Sequence, residues 1–235
     1  MTIFAAVLEG LLRGDASRPL VTFYDHASGE RTELSVTTYA NWVAKTAGLL
    51  ADEHDLSRGQ VIRIDLPTHW LGPVFLGAAW SVGLVVTDRD DADAYVCGPE
   101  SLVRWAEQDA VVLASALQPF GTRFAEPLPP GVHDYGVEVW SQPDAWIAFD
   151  PPGPHDLAVG DTTHEELWAA AAAGDVLADG GRVLTEENPA SPSGLPSFTE
   201  PLVRGGSVVL VAHADPGRLD ATYDAERATA RFPPG

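Results

Sequence analysis

The chain has 235 residues, a formal net charge of −20 at pH 7 and one cysteine, Cys97. This length is enough to bury one large core or two smaller ones. The negative charge argues against nucleic acids and anionic membranes as partners, because both require clustered Lys and Arg to displace counterions. A single cysteine excludes an internal disulfide, and residues 1–12 lack the basic start and cleavage site of a signal peptide. We therefore expect a cytoplasmic protein.

A hairpin and an amphipathic helix are predicted near the amino terminus. Turn-forming residues at 25–29 separate two short β-rich runs, and from Val36 to Leu50 apolar residues recur at spacings of three and four. Ser35 or Thr37 could cap that helix. In chain order, the predicted helices lie near residues 3–13, 36–54, 70–81, 101–107, 165–173 and 195–203. The predicted strands lie at 20–24, 31–34, 61–66, 84–86, 94–97, 110–113, 146–149, 182–184 and 207–211.

Residues 70–86 are uncharged for seventeen positions, at the lower edge of what a membrane-spanning helix requires. Gly72 and Pro73 near its start and Gly83 near its end favour a buried helix followed by a strand. We therefore predict that this segment belongs to a core and not to a membrane.

Strands that alternate with helices imply largely parallel sheets. The prediction is an α/β fold with largely parallel sheets flanked by helices and a short amino-terminal hairpin. Residues 1–214 are expected to form a single α/β domain, or two sublobes joined near residues 118–130, where proline is frequent. The polar, charged tail at residues 215–235 is expected to be poorly ordered.

Three stretches carry a resemblance to a known family. The first contains Thr38-Tyr39, Gly59-Gln60-Val61, Leu66-Pro67 and Gly83-Leu84-Val85-Val86; the second is residues 146–173, with Thr163-His164; the third, residues 202–210, is LVRGGSVVL. In this order they resemble the amino-terminal part of the large domain of the adenylate-forming superfamily. That superfamily includes acyl-CoA synthetases, luciferases and peptide-synthetase adenylation domains. The resemblance implies ATP or AMP as a cofactor and an acyl or nucleotide-like small molecule as a ligand.

The motif that binds ATP phosphates in this family, TSGTTGxPKG, is degenerate here. At residues 150–159 prolines remove N–H donors and acids replace hydroxyls, while Ala158 stands at the lysine position and Lys45 is the only lysine of the chain. No catalytic residue is assigned. The resemblance gives as candidate binding residues of this region Gly153, His155, Thr162, Thr163 and His164.

Three functional hypotheses follow. The leading one is a pseudoenzyme, a non-catalytic scaffold that binds a partner protein, a second copy of itself or a small acyl or nucleotide-like ligand. The second is an AMP-forming ligase, or a ligase subunit, that activates a carboxylic acid through Thr163 and His164. The third is a metal-dependent hydrolase that uses the loop between His155 and Glu165. The spacing of that loop matches no recognised metal motif, so no metal ligand is assigned.

Overall fold

The computed structural model describes residues 2–233, apart from the side chain of Phe120, and within them the strands form two sheets. In chain order the strands are β1 (Pro19–Asp25), β2 (Arg31–Ser35), β3 (Val61–Asp65), β4 (Val85–Thr87), β5 (Ala94–Cys97), β6 (Val111–Ala114), β7 (Val132–Asp134), β8 (Leu157–Val159), β9 (Thr162–Thr163), β10 (Arg182–Thr185), β11 (Ser207–Ala212) and β12 (Ala230–Phe232). The α-helices are α1 (Phe4–Arg13), α2 (Val36–Gly48), α3 (Leu71–Val82), α4 (Leu102–Trp105), α5 (Tyr135–Glu138), α6 (His164–Ala173), α7 (Pro196–Val203) and α8 (Pro216–Ala225). Most strand pairs are parallel, which confirms the predicted α/β class.

The elements separate into two compact units. Unit 1 comprises Met1–Ala40, Pro67–Pro73 and Glu165–Gly235, and unit 2 comprises Asn41–Leu66 and Val74–His164. The divisions therefore do not fall near residues 118–130, where we expected a junction between sublobes. That proline-rich segment lies within unit 2, between β6 and β7. Proline marks a loop, but contacts between residues distant in sequence decide which loops separate compact units.

Unit 1 is built on a sheet with the strand order β12-β10-β11-β1-β2. The predicted hairpin is present, with β1 antiparallel to β2, and β1 also pairs in parallel with β11, where Val21 lies opposite Val208. Every residue of β11 is buried. A parallel strand covered on both faces needs an apolar run, which explains the five apolar residues VVLVA that follow Ser207.

Unit 2 is built on a sheet with the strand order β7-β6-β5-β3-β4-β8-β9. Its central strands are parallel, and β9 closes the edge by pairing antiparallel with β8. The predicted helix α3 carries Phe75 and Trp80, both fully buried, and the Trp80 indole N–H donates to the carbonyl oxygen of Ala158 at 3.2 Å. No helix in the described part of the chain is both long and apolar enough to cross a membrane.

Residues 146–149 were predicted as a strand, but they form irregular backbone. Ile147 is 91% exposed and Phe149 is fully exposed. Aromatic and β-branched residues favour strands where their side chains pack against a sheet surface. The side chains of Ile147 and Phe149 do not pack in this way.

The tail beyond residue 215 was expected to be poorly ordered, yet it contains α8 and β12. The Asp215 carboxylate caps α8 by accepting from the Gly217 N–H at 2.9 Å, and Pro216 occupies the first helical turn. β12 then pairs in parallel with β10. A good cap and an available sheet edge outweigh the polar composition of this segment.

Candidate functional site

The predicted binding residues lie in one local structure, a turn followed by the β8–β9 hairpin. Gly153 lies in the turn, and its backbone N–H donates to the Asp156 carboxylate at 2.6 Å. Thr162 and Thr163 form β9, and the His164 N–H at the start of α6 donates to the Asp156 carbonyl oxygen at 2.9 Å. Asp156 therefore joins the two ends of the loop through both its side chain and its backbone.

Arg58 holds the same carboxylate from outside the loop. Its Nε and Nη2 lie 2.8 and 3.0 Å from the two Asp156 oxygens, and its Nη1 lies 3.0 Å from Asp150. The hydrogen bond from Arg58 holds the pKa of Asp156 below its usual range, so Asp156 is negatively charged at neutral pH. A two-point arginine–carboxylate contact fixes orientation as well as charge.

Two clefts of about 360 and 340 Å³ lie within unit 2, and Arg58 lines both. The first is lined by Ala51, Asp52, Leu56, Ser57, Arg58, Val82 and residues 146–150. The second is lined by Arg58, Gly59, Gly83, Val85, His155, Asp156 and Leu157. The predicted residue His155 therefore faces a cleft beside the Arg58–Asp156 pair.

The five predicted residues differ strongly in exposure. His155 and Thr162 are exposed, Gly153 and Thr163 are half-buried, and His164 is fully buried. Among the described residues, neither ring nitrogen of His164 has a hydrogen-bond partner. Burial lowers the pKa of His164, so its imidazole is neutral at pH 7. The structure thus groups the five residues along the chain without bringing their side chains to one surface.

This arrangement has a direct consequence for phosphate chemistry. The Gly153 N–H, a donor of the kind that binds phosphate oxygens, already binds the Asp156 carboxylate, and Arg58 is paired with two acids. Lys45 lies on α2, where its ammonium is 3.0 Å from Asp144 and also donates to the Gln142 carbonyl oxygen. An anion that approaches this loop therefore meets the Asp150 and Asp156 carboxylates. Of the cationic side chains named above, Arg58 and Lys45 are both already paired with acids.

Sequence reasoning missed Arg58, because its partners Asp150 and Asp156 are 92 and 98 residues away. It also missed a cluster of His54, His133 and Glu138 in unit 2, whose possible ligand atoms all lie within 4.8 Å of one another. Among the described residues, this is the one group of three or more His, Cys, Asp or Glu side chains whose ligand atoms lie close enough to hold a metal ion. The loop from His155 to Glu165 forms no such group. No local sequence motif predicts the contacts of Arg58 or the histidine–glutamate cluster.

Solved structures with a similar fold are acyl-CoA and aryl-CoA ligases. An acyl-CoA synthetase from Brucella canis superposes with a TM-score of 0.78 at 18% identity, over 96% of this chain and 46% of that enzyme. A benzoate CoA ligase from Burkholderia xenovorans LB400 gives a TM-score of 0.72 at 17% identity, over 96% of this chain and 48% of the ligase. The chain thus spans about half the length of these structures. The resemblance inferred from the three sequence stretches is confirmed at the level of the fold.

Sequence comparison identifies the family. No family model matches the chain. A relative from Mycobacterium tuberculosis (strain ATCC 25618 / H37Rv), described as a TIGR03089 family protein, is 37% identical over 241 residues. The alignment covers 97% of both proteins. The chain therefore belongs to the TIGR03089 family.

Proposed function

We propose that this protein is a non-catalytic relative of the acyl-CoA ligases that uses the inherited fold to bind a partner. The observation that carries the proposal is the closed loop at residues 150–160. There Asp156 occupies the Gly153 N–H, and Arg58 is committed to Asp156 and Asp150. Opening the loop for a triphosphate would require breaking these contacts and then placing like charges together. Each such contact costs about 1 kcal/mol in water at roughly 4 Å and more where water is excluded.

The direct test is ATP–pyrophosphate exchange with a panel of aliphatic and aromatic carboxylic acids. We expect no exchange above the background of a heat-inactivated sample. Exchange that disappears in a His164→Ala variant, while a His213→Ala variant far from the loop in sequence retains it, would instead support an AMP-forming ligase. The fold shared with acyl-CoA ligases is the reason to carry out that assay.

A thermal-shift screen against ATP, AMP, CoA and acyl-adenylate analogues separates ligand binding from catalysis. A ligand at 100 times its Kd raises the free energy of unfolding by about 2.7 kcal/mol, which corresponds to a shift of several degrees. A shift with AMP or an acyl-adenylate analogue but not with ATP is the pattern expected if a small ligand is retained while the triphosphate is excluded. A shift with ATP as large as that with AMP would contradict the closed-loop argument.

The exposed apolar residues beside the larger cleft support binding of a protein, including a second copy of this chain. Ile147 and Phe149 both line that cleft and are almost completely exposed. Exposed neighbouring apolar groups favour association because burying them releases water. Static light scattering over a concentration series should show self-association that an Ile147→Ser/Phe149→Ser double variant reduces. A strict monomer at the highest concentration would exclude self-association as the function of this surface.

A further inference from the structure

A cluster of two histidines and a glutamate lies in unit 2, apart from the 150–160 loop. His54 Nε2 lies 2.9 Å from one carboxylate oxygen of Glu138, and His133 Nδ1 lies 2.9 Å from the other. The two imidazole rings meet edge to face, with centroids 4.4 Å apart. One carboxylate thus faces a nitrogen atom of each ring.

The three side chains come from different elements that are held together by other contacts. His54 follows the π-helical turn Leu49–Glu53 that extends α2, whereas His133 lies in β7 and Glu138 ends α5. The Thr46 and Tyr135 hydroxyls, one on α2 and one on α5, hydrogen-bond at 2.7 Å inside the core. This buried contact fixes the end of α2 against α5, so the cluster is assembled by the fold and does not depend on surface side chains meeting by chance.

Burial within the cluster is graded. The His54 side chain is 7% exposed, while those of His133 and Glu138 are 41% and 32% exposed. One imidazole is therefore anchored in the protein, and the other two groups remain open to solvent. A small ion can reach the cluster, and a water molecule can occupy a further position on that ion.

We propose that His54, His133 and Glu138 form a binding site for a divalent first-row transition metal, with Zn²⁺ as its representative. Imidazole nitrogen and carboxylate oxygen are the donors that such ions prefer, and two histidines with one carboxylate form a common three-ligand set that leaves a position open. Zn–ligand bonds of about 2.0–2.1 Å place the ligand atoms of a tetrahedral site roughly 3.4 Å apart. The present atoms lie within 4.8 Å of one another, so small side-chain rotations suffice. The net charge of −20 also raises the local concentration of cations.

The same contacts would also exist in a metal-free His–Glu–His hydrogen-bonded group. The measurable difference is affinity: a metal site binds Zn²⁺ more tightly than scattered surface histidines do. Selectivity is a second difference. Mg²⁺ prefers oxygen ligands and should not bind two imidazoles.

The experiment is isothermal titration of the chelator-treated 235-residue protein with Zn²⁺, with Mg²⁺ in a parallel titration. We expect one Zn²⁺ per chain, no Mg²⁺ binding, and a four- or five-coordinate visible spectrum when Co²⁺ replaces Zn²⁺. His133→Gln and Glu138→Gln should each weaken Zn²⁺ binding by at least about tenfold, since even outer-sphere changes cost 10- to 100-fold. The matched control is His213→Gln, which removes a histidine that is 68% exposed and paired with Asp25; it should leave the affinity unchanged.

His133→Gln and Glu138→Gln alter partly exposed side chains, and circular dichroism verifies that each of these variants remains folded. The proposal is overturned if the wild-type protein binds no Zn²⁺, or if His133→Gln and Glu138→Gln bind it as tightly as His213→Gln does. The Co²⁺ spectrum of the unaltered protein tests the same claim without any substitution. None of these measurements depends on whether the protein binds or activates an acyl or nucleotide ligand.

Discussion

Replacing the buried His164 by leucine should stabilise this protein. His164 is fully buried, and neither of its ring nitrogens has a hydrogen-bond partner among the described residues. An unsatisfied buried polar group costs roughly 1–3 kcal/mol, and leucine removes that cost. The leucine side chain is slightly larger than the histidine side chain and differs from it in shape, and an apolar replacement of similar volume costs less than about 1.5 kcal/mol. The net expectation is a gain of about 1 kcal/mol at pH 7.

The gain should increase as the pH falls. Burial lowers the folded-state pKa of His164 below its ordinary value of 6.5, so just below pH 6.5 the unfolded chain binds a proton that the folded chain does not. The free energy of unfolding of the wild-type protein therefore decreases by up to about 1.4 kcal/mol per pH unit until the folded-state pKa is reached. Leucine does not titrate, so its advantage over histidine grows over the same range.

Urea denaturation followed by tryptophan fluorescence, at pH 7.5 and at pH 5.5, measures both effects. A gain of 1 kcal/mol should also raise the Tm by about 2–4 °C for a chain of this size. His155→Leu is the matched control, because His155 lies in the same loop region but is exposed; it should change stability by less than about 0.5 kcal/mol. A His164→Leu variant that is less stable than wild type at pH 7.5, or whose relative stability does not rise at pH 5.5, would refute the reasoning.

Burial lowers the pKa of His69 to about 3, so His69→Asn should flatten the decline of unfolding free energy between pH 6 and pH 4; an unchanged slope in urea melts would contradict this. Tyr135→Phe should cost about 1 kcal/mol, measured by urea denaturation, because it leaves the buried Thr46 hydroxyl without its 2.7 Å partner; no loss would mean that water replaces the phenol. Gly10→Ala should stabilise α1 by about 0.5–1 kcal/mol, since nothing lies within 4 Å of the added methyl group. Gly194→Ala should destabilise by at least about 1 kcal/mol, since its methyl group would overlap a backbone carbonyl; equal Tm values for the two alanine variants would show that this glycine can shift without cost.

Elements with a strong repeating pattern were predictable from the sequence. The amphipathic helix from Val36 is present, and the Ser35 hydroxyl accepts from the Thr38 N–H at 3.1 Å, as one of the two proposed caps requires. The parallel strand β5 and residues 208–212 of β11 are continuous hydrophobic runs because both faces of these strands are buried. Short elements were missed for the opposite reason. The two- and three-residue strands β7, β8 and β9 are too short to carry a period.

The sequence predicts a candidate binding region at this loop, but it did not predict the contacts within the loop. Composition showed that residues 150–159 lack lysine and that prolines and acids stand where the family has N–H donors and hydroxyls. It did not show that Asp156 binds the Gly153 N–H, or that Arg58, almost one hundred residues earlier, holds Asp156 with two hydrogen bonds. The burial of His164 was equally hidden, because one residue type in one short motif can be either exposed or enclosed.

The sequence alone determined the α/β class, the hairpin and the main helices, because each depends on neighbouring residues or on composition. The tertiary structure alone decided where the two units divide, that residues 146–149 are exposed, and that the segment after Asp215 folds onto a sheet edge. It also decided that His54 meets His133 and Glu138 across about eighty residues of chain. These features depend on which distant surfaces cover one another, and that information is absent from any local pattern.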